Sequence, residues 1–210
     1  MRSVLALLLP GVLLALVIVD RPIRFGPDRI ALTQQYLKSR YGVESGTIQI
    51  VPKMIVVHYT AIDTLEGSFA AFDPERLPNH RGDISGASPL NVSAHFLVDR
   101  DGTVYRLMRE NWMARHVIGL NHCAIGIENV GGAEARLTER QLRANVELVR
   151  YLLKRYPTIR YLIGHHEYRR FEKSPLWLER DARYRTVKKD PGERFMRALR
   201  RHFPDCKSAP

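Results

Sequence analysis

The chain has 210 residues, of which 45% are hydrophobic and 26% charged, a balance that is typical of a globular protein and excludes a disordered chain or a multispan membrane protein. Its 33 Lys and Arg outnumber 22 Asp and Glu, and the net charge of +11 favours a polyanionic partner. We expect no nucleic-acid partner, because the sequence has no recognition helix, zinc-finger spacing or RNP-like aromatic motif.

The N-terminal segment predicts export. An uncharged, almost wholly apolar run extends from Val4 to Val19, after Arg2. Residues 4–19 are fewer than the ~20 that usually span a bilayer, so residues 1–20 are either a cleaved signal peptide or a short uncleaved membrane anchor. No small-residue cleavage site follows Val19, which favours the anchor, and an N-terminal core helix is the remaining alternative. Cys123 and Cys206 exclude a disulfide framework and leave open one disulfide or two free thiols.

Residues 21–45 predict a connector followed by a first helix. The helix begins at the N-cap candidate Asp28, and Gly42 ends it after Tyr41. The following run, Met54 to His58, is short and β-branched, which is typical of a strand buried on both faces of a sheet. A helix and a loop are predicted next, and the polar stretch 81–90 is a candidate substrate-side loop.

The next segments predict the rest of a sheet and two helices. Asp101-Gly102 between the apolar runs 94–98 and 103–107 indicates a β-hairpin, and residues 124–128 form another buried strand that carries Glu128. A capping box at Thr138 starts a long amphipathic helix that ends before Pro157. A short strand over 161–163 and a last helix over 192–203 complete the pattern. The prediction is an α/β domain over 46–204, a single mixed central sheet flanked by helices, with a tail at 205–210.

Three chemistry-bearing positions follow strands or loops: His58, the pair His165-His166, and Asp190. Two imidazoles and one carboxylate suit a catalytic zinc ion, whose three protein ligands leave a fourth position for water. By spacing alone the indication is weak, because a histidine at a strand end is more often a surface or hydrogen-bonded core residue.

Several segments resemble, in order, the amidase-2 group of the peptidoglycan recognition protein superfamily. They are Ile55–His58, Val92–Gly102, Ala114–His116 with Asn121, Ile125–Glu128, Gly164-His165 and Lys188–Gly192. The resemblance runs from about Met54 to Gly192, and six motifs in one order are far more specific than any one of them. It implies an amidase that cleaves the amide between N-acetylmuramic acid and the L-alanine of a peptidoglycan stem peptide. A bacterial, extracytoplasmic (periplasmic) location follows from this and the export segment, with 4–19 as an inner-membrane anchor if it is retained.

The resemblance also implies roles for individual residues. Zn²⁺ would be held by His58, His165 and Asp190, and would supply hydroxide near neutral pH. Glu128 would take the proton of the attacking water and pass it to the leaving amine, and Lys188 would stabilise the oxyanion. The alternatives are a structural Glu128 paired with an arginine, and a solvated Lys188 with its neighbour as the functional lysine.

The same resemblance suggests substrate contacts. His95, His116 and Asn121 fall in family motifs and are candidates to line the cleft, although a hydrogen-bonded structural role is equally open for each histidine. The family commonly has Trp immediately before the histidine that matches His116, where this chain has Arg115, so the aromatic wall of the cleft is expected to differ.

His165 and Asp190 lie 25 positions apart, farther than is usual in the family, which indicates an insertion over about 168–187. We call residues 168–187 the basic segment. It is predicted to cover the cleft, and its arginines, Arg169 and Arg170 in particular, to grip stem-peptide carboxylates, since guanidinium groups bind carboxylates bidentately. Surplus surface charge is the alternative.

Two other functions stay open at this point. A non-catalytic peptidoglycan-binding module occurs in the superfamily after loss of a zinc ligand, but here all three ligand positions are filled. A zinc amidohydrolase for another N-acyl peptide would use the same ligands and would differ only in its substrate.

Overall fold

The computed structural model describes residues 16–78 and 82–210, where six strands form one mixed sheet in the order β1-β4-β3-β5-β2-β6. The strands are β1 (Ile18–Asp20), β2 (Met54–Val57), β3 (Phe96–Val98), β4 (Val104–Arg106), β5 (Ala124–Asn129) and β6 (Tyr161–Gly164). The predicted mixed sheet flanked by helices is confirmed. Residues 1–15, the greater part of the predicted export segment, lie outside the described residues.

Five helices accompany the sheet in the described ranges: α1 (Pro27–Tyr36), α2 (Leu65–Phe72), α3 (Gly82–Ser85), α4 (Glu139–Arg155) and α5 (Glu193–Arg200). The first helix continues as a π-helical turn to Tyr41 and ends at Gly42, whose φ of 67° is readily available only to glycine. The predicted capping box of α4 is present, with Thr138 and Gln141 bonding each other's backbone N–H groups. Within the described residues, no helix is both long and apolar enough for a membrane crossing.

The sheet directions bring functional side chains to one rim. Strands β2, β3, β5 and β6 are mutually parallel, so their carboxyl ends point the same way. We call the side of the sheet where these four strands end the carboxyl rim. His58 follows β2 and His165 follows β6, and Glu128 is the penultimate residue of β5. The strand pairing therefore carries these three residues to the carboxyl rim.

Strand β2, which lies between β5 and β6, is packed on both of its faces. All four of its residues are fully buried, and successive side chains face opposite sides of the sheet. Ile55 and Val57 join the cluster beneath α4 and α5, whereas Met54 and Val56 pack on the other side with Tyr168 and Phe171. Burial of each such side chain contributes about 1.5–3 kcal/mol, so a strand end held from both faces is a stable platform.

Strand β1 was not anticipated. Ile18–Asp20 belong to the segment for which export was predicted, yet they pair in parallel with β4, and Leu16 and Ile18 pack against the cluster beneath α4. The sheet thus extends into the last part of the apolar run. Cys123 and Cys206 are both free thiols, the first of them buried.

Candidate metal centre

Three side chains converge on one point at the carboxyl rim. His58 Nδ1 lies 3.0 Å from His165 Nδ1 and 3.1 Å from Asp190 Oδ2, and His165 Nδ1 lies 3.0 Å from the same carboxylate oxygen. All three residues are buried. Among the residues that the structure describes, this trio is the one group of histidine, cysteine and acidic side chains close enough to hold a metal ion.

The three donor atoms fit a tetrahedral cation. Zinc binds imidazole nitrogen at 2.0–2.1 Å and carboxylate oxygen at similar distances, so neighbouring donors around it lie roughly 3.3 Å apart. The observed triangle of 3.0–3.1 Å is close to that spacing. Two imidazole nitrogens and one carboxylate oxygen are a donor set that catalytic zinc sites use, and three protein donors leave one position open.

The surroundings keep the donor side chains in the protonation states that bind a cation. Burial, and next the neighbouring His58, lowers the pKa of His165 to about 4, so its ring is neutral at pH 7. Burial acts to raise the pKa of Asp190, but the imidazoles of His165 and His58 outweigh it and hold that pKa well below its usual range. A neutral imidazole and an ionised carboxylate are the forms that bind metal.

Backbone contacts fix each donor in place. Asn129 Nδ2 donates to the carbonyl oxygen of His58 at 3.0 Å, and Asn145 of α4 donates in turn to Asn129 Oδ1 at 2.7 Å. His166 turns away from the carboxylate of Asp190, since its Nδ1 lies 3.0 Å from the main-chain oxygen of that residue. The pair His165-His166 therefore offers one ring to the metal position and uses the other to hold the Asp190 backbone.

A cavity of about 280 Å³ opens on the three donors. Its other polar lining residues include Tyr59, Arg115, Glu128, Thr186 and Lys188. Glu128 is only 8% exposed, at the penultimate position of a strand whose four preceding residues are apolar, and it shares the cavity with all three donors. A carboxylate and an ammonium group beside a metal position can serve as a proton acceptor and an anion-stabilising cation.

His95 lies elsewhere, and the expectation that it lines the cleft is not supported. It is fully buried beside the sheet, where its Nε2 lies 2.8 Å from the carbonyl oxygen of Trp112 and its Nδ1 accepts from the N–H of Gly126 at 2.9 Å. Burial lowers the pKa of His95 to about 4. With both ring nitrogens bonded to backbone, the residue has the structural role that was the alternative.

His116 and Asn121 border the cavity, but their polar atoms are engaged within the protein. The Oδ1 atom of Asn121 accepts from the N–H groups of His116 and Val117 at 2.9 and 2.8 Å. His116 Nδ1 lies 3.0 Å from His58 Nε2. The two residues therefore lie in the cavity lining as predicted, and their bonds within the protein also hold His58 and the loop before β5.

Arg169 and Arg170 do not reach the cavity. Arg169 pairs with Glu172 at 2.7 Å and Arg170 with Glu167 at 2.8 Å, and at least half of each arginine side chain is exposed. None of the basic segment's arginines is among the described residues that line the cavity. Both side chains stay away from the cavity because each forms an ion pair with an acidic residue three positions away, in or next to the helical turn after β6.

The basic segment nevertheless forms one cavity wall, through Tyr184 and Thr186. Glu179, whose side chain is fully buried, anchors this wall by pairing with Arg40 at 2.7 Å. Tyr184 lies under the guanidinium of Arg40, and its hydroxyl accepts from Arg115 at 3.2 Å. The segment thus borders the cleft as predicted, but the side chains that face the cleft differ from those predicted.

Arg115 stands where the family commonly has Trp, and its side chain is almost fully buried in the wall of the cavity. Its guanidinium donates to the carbonyl oxygens of Ile84 at 2.7 Å and Ser88 at 3.0 Å, and to that of Leu90. It therefore ties the polar loop predicted at 81–90 to Tyr184 on the opposite wall.

Sequence reasoning missed Asn129 and Asn145, which connect α4 to the backbone of His58. A signal was available for Asn145: it occupies a buried position on the apolar face of α4, between Leu142 and Val149. A buried amide must be hydrogen-bonded, so an asparagine on that stripe indicates a specific polar partner across the interface.

Comparisons with known proteins agree with this geometry. The Amidase_2 family model, described as N-acetylmuramoyl-L-alanine amidase, matches residues 48–193. The endolysin of Escherichia phage T7 is 36% identical over 84 residues, which cover 37% of this chain and 55% of the phage protein, and the endolysin of Klebsiella phage KP32 is 34% identical over the same shares. The chain thus spans about half the length of the curated relatives it matches.

Solved structures extend the likeness to most of the chain. The crystal structure of a selenomethionine AmpD derivative is 26% identical with a TM-score of 0.52, over 76% of this chain and 92% of that one. Bumblebee PGRP-SA is 18% identical with a TM-score of 0.54, over 92% of this chain and 99% of that one, which shows a shared fold.

Proposed function

From the premise that this chain belongs to the Amidase_2 family, we propose that it is a zinc-dependent N-acetylmuramoyl-L-alanine amidase. The substrate is peptidoglycan or a muropeptide released from it. The bond cleaved is the amide between the lactyl carbonyl of N-acetylmuramic acid and the first L-alanine of the stem peptide. The observation that carries the proposal is the triangle of His58, His165 and Asp190 in one cavity with Glu128 and Lys188.

The reaction needs an activated water, a proton carrier and a stabilised oxyanion. When bound, zinc supplies Lewis acidity, which lowers the pKa of a water ligand and polarises a carbonyl. The Glu128 carboxylate accepts the proton of the attacking water and delivers it to the leaving amine of L-alanine. Lys188 stabilises the negative charge that develops on the former carbonyl oxygen. The buried imidazoles hold their lone pairs towards the centre throughout.

The two other candidate functions predict different outcomes. A binding module without catalysis needs neither a complete set of three metal donors nor a carboxylate in the same cavity. An amidohydrolase for another N-acyl peptide would share every feature of the site. Substrate, rather than geometry, distinguishes it from the proposed amidase.

The decisive experiment incubates the zinc-loaded protein with purified sacculi and, in parallel, with soluble muropeptides. We expect new L-alanine amino termini and peptide-free glycan. Glu128→Gln protein, purified and loaded in the same way, is the matched control. New reducing ends without L-alanine amino termini would assign a glycosidase instead, and no product from either substrate would leave the binding module and the other amidohydrolase as the alternatives.

Export to the periplasm is a separate part of the proposal, and it rests on the apolar run 4–19. The pairing of β1 with β4 argues against cleavage after residue 20, because that cleavage would remove an edge strand from the sheet. A phosphatase fused after residue 30 should be active only outside the cytoplasm. Intact mass of the protein from the membrane fraction should include residues 1–20, and a mature form beginning after residue 20 would contradict the anchor.

A further inference from the structure

A chain of hydrogen bonds leads from the backbone of β5 to the metal centre. His116 Nε2 lies 3.3 Å from the carbonyl oxygen of Ala124, and His116 Nδ1 lies 3.0 Å from His58 Nε2. The opposite nitrogen of His58, Nδ1, faces His165 and Asp190. The rings of His58 and His116 meet edge to face at 84°. One imidazole thus connects a fixed carbonyl group to a metal-facing imidazole.

The direction of these bonds follows from the chemistry of their ends. A carbonyl oxygen only accepts, so His116 Nε2 must carry the proton, and a neutral imidazole then has a lone pair at Nδ1. That lone pair accepts a hydrogen bond from His58, whose proton must therefore sit on Nε2. His58 Nδ1 is left with a lone pair that faces the metal position. The carbonyl group of Ala124 thus dictates, through His116, the tautomer of the ligand.

Two features of the sequence hold His116 in this position. Gly126 lies in the middle of β5, and a Cβ atom there would lie 2.9 Å from the His116 ring, so the missing side chain makes room for the imidazole. Asn121 fixes the His116 backbone through its N–H group. Glycine interrupts an otherwise apolar buried strand at the one point where the ring rests, which explains its place in Ile125–Glu128.

We propose that His116 is a positioning residue that holds His58 as the Nε2–H tautomer, with Nδ1 bare for the metal, and that Gly126 provides the seat for its ring. Histidine ligands generally donate their second N–H group to a carboxylate, a carbonyl group or water, and loss of that partner costs 10–100-fold in metal affinity or activity. Here the partner is a second histidine, itself anchored to the main chain. The inference rests on the proposed metal role of His58, but not on the identity of the substrate.

The first test uses the metal-free wild-type protein and needs no variant. Long-range ¹H–¹⁵N correlation spectra of the imidazole rings distinguish Nδ1–H from Nε2–H tautomers. We expect His58 and His116 both as Nε2–H tautomers. An Nδ1–H tautomer at either ring would overturn the proposal.

The second test compares His116→Phe with His116→Gln. Phenylalanine fills the seat but has no ring nitrogen, whereas the glutamine amide can accept from His58 and donate to Ala124 through its oxygen and its NH₂ group. We expect zinc affinity, measured by chelator competition, to fall roughly 10–100-fold in the Phe variant and to recover largely in the Gln variant. The d–d spectrum of bound Co²⁺ should change in the Phe variant and resemble wild type in the Gln variant.

Equal zinc affinity and equal Co²⁺ spectra in all three proteins would refute the positioning role. If the Phe variant fails to fold, the tautomers of His58 and His116 in the wild-type protein still decide the matter. Absence of L-alanine release from sacculi, with the tautomers and affinities as expected, would instead reject the proposed amidase and leave the role of His116 intact.

Discussion

The metal centre and the basic segment are both clusters of polar residues, but the molecule uses them in opposite ways. At the metal centre the polar atoms are buried, converge within 3.1 Å and are held by bonds to distant parts of the chain. In the basic segment, arginines such as Arg169 and Arg183 extend outward and pair with acids close by in sequence. Strand ends set the first arrangement, whereas local charge pairs set the second.

The difference teaches where charge is energetically important. A pair exposed on the surface contributes about 0–1 kcal/mol, whereas removal of one member of a buried pair costs about 3–5 kcal/mol. The basic segment contains both kinds, since the side chain of Glu179 is fully buried and that of Arg183 is 93% exposed. Mutations should therefore separate its anchor from its surface charge.

The largest effect is expected from the adjacent histidines of the metal centre. His165→Ala removes a ligand, so bound zinc and activity should both be lost, whereas His166→Ala should retain zinc because its Nδ1 faces the main chain of Asp190 and not the metal position. Zinc content by mass spectrometry, together with L-alanine release, measures both. Zinc loss in His166→Ala with retention in His165→Ala would reassign the ligand.

Variants of Glu128 and Asp190 distinguish the role of a proton carrier from that of a metal ligand. Glu128→Gln preserves size but cannot accept a proton, so turnover should fall by roughly 10²–10⁴ while zinc stays near one per chain. Asp190→Asn should lose zinc together with activity. Loss of zinc in Glu128→Gln, or nearly full activity, would remove Glu128 from the mechanism.

The anchor of the basic segment should matter for stability. Glu179→Gln leaves Arg40 without its buried partner, and we expect the free energy of unfolding to fall by about 3 kcal/mol. KM should rise as well, because the same anchor supports Tyr184 in the cavity wall. Urea unfolding and steady-state kinetics measure the two effects. Arg183→Ala is the matched surface control, and a change of similar size there would mean that burial is not the cause.

Acid should lower the free energy of unfolding of the metal-free protein through the buried His95. Burial lowers the pKa of His95 from 6.5 to about 4. Between pH 6.5 and pH 4, His95 is therefore protonated in the unfolded chain and neutral in the folded protein. The contribution of His95 to the stability of the metal-free protein should therefore be full above pH 6.5 and lower by roughly 2–3 kcal/mol at pH 4.5, with little further loss from this residue below pH 4. Urea titrations of wild type and His95→Gln should show a shallower slope in the variant; equal slopes would contradict the assignment.

The smallest effect is expected from Arg169 and Arg170. Because their guanidinium groups pair with Glu172 and Glu167 away from the cavity, the double alanine variant should keep kcat/KM within about threefold and should unfold at nearly the same urea concentration as wild type. A tenfold rise in KM for muropeptides would restore the original expectation that these arginines bind stem-peptide carboxylates.

Much of the fold follows from sequence because its signals are local. The β-branched run at Met54–Val57, the Asp-Gly turn before β4 and the capping box at Thr138 each specify their element from neighbouring residues. The trio His58, His165 and Asp190 was accessible through motif resemblance, and parallel strand ends explain why two of its members meet. These parts were predictable because each depends on one segment of chain at a time.

The remainder depends on pairs of distant segments. No local pattern shows that the end of an apolar run becomes β1, since its partner β4 lies more than 80 residues away. The burial of His95 depends on Trp112 and Gly126, and the direction of Arg115 depends on the short helix α3, which contains Ile84. Such side chains are compatible with surface and interior positions alike until the tertiary partners are known.

The direction of β1 also determines which way the cavity faces when the protein is immobilised through one of its ends. Ile18 pairs with Val104, Val104 with Val98, and Val98 with Asn129 at the end of β5. Ile18 therefore lies at the carboxyl rim, as the metal centre does, and β1 is four interstrand spacings, or roughly 19 Å, from β2. Lys207 instead bridges to Tyr161, at the opposite rim. An enzyme immobilised through a linker before Ile18 would turn its cavity towards the support, and one immobilised after Lys207 would present it to the solution.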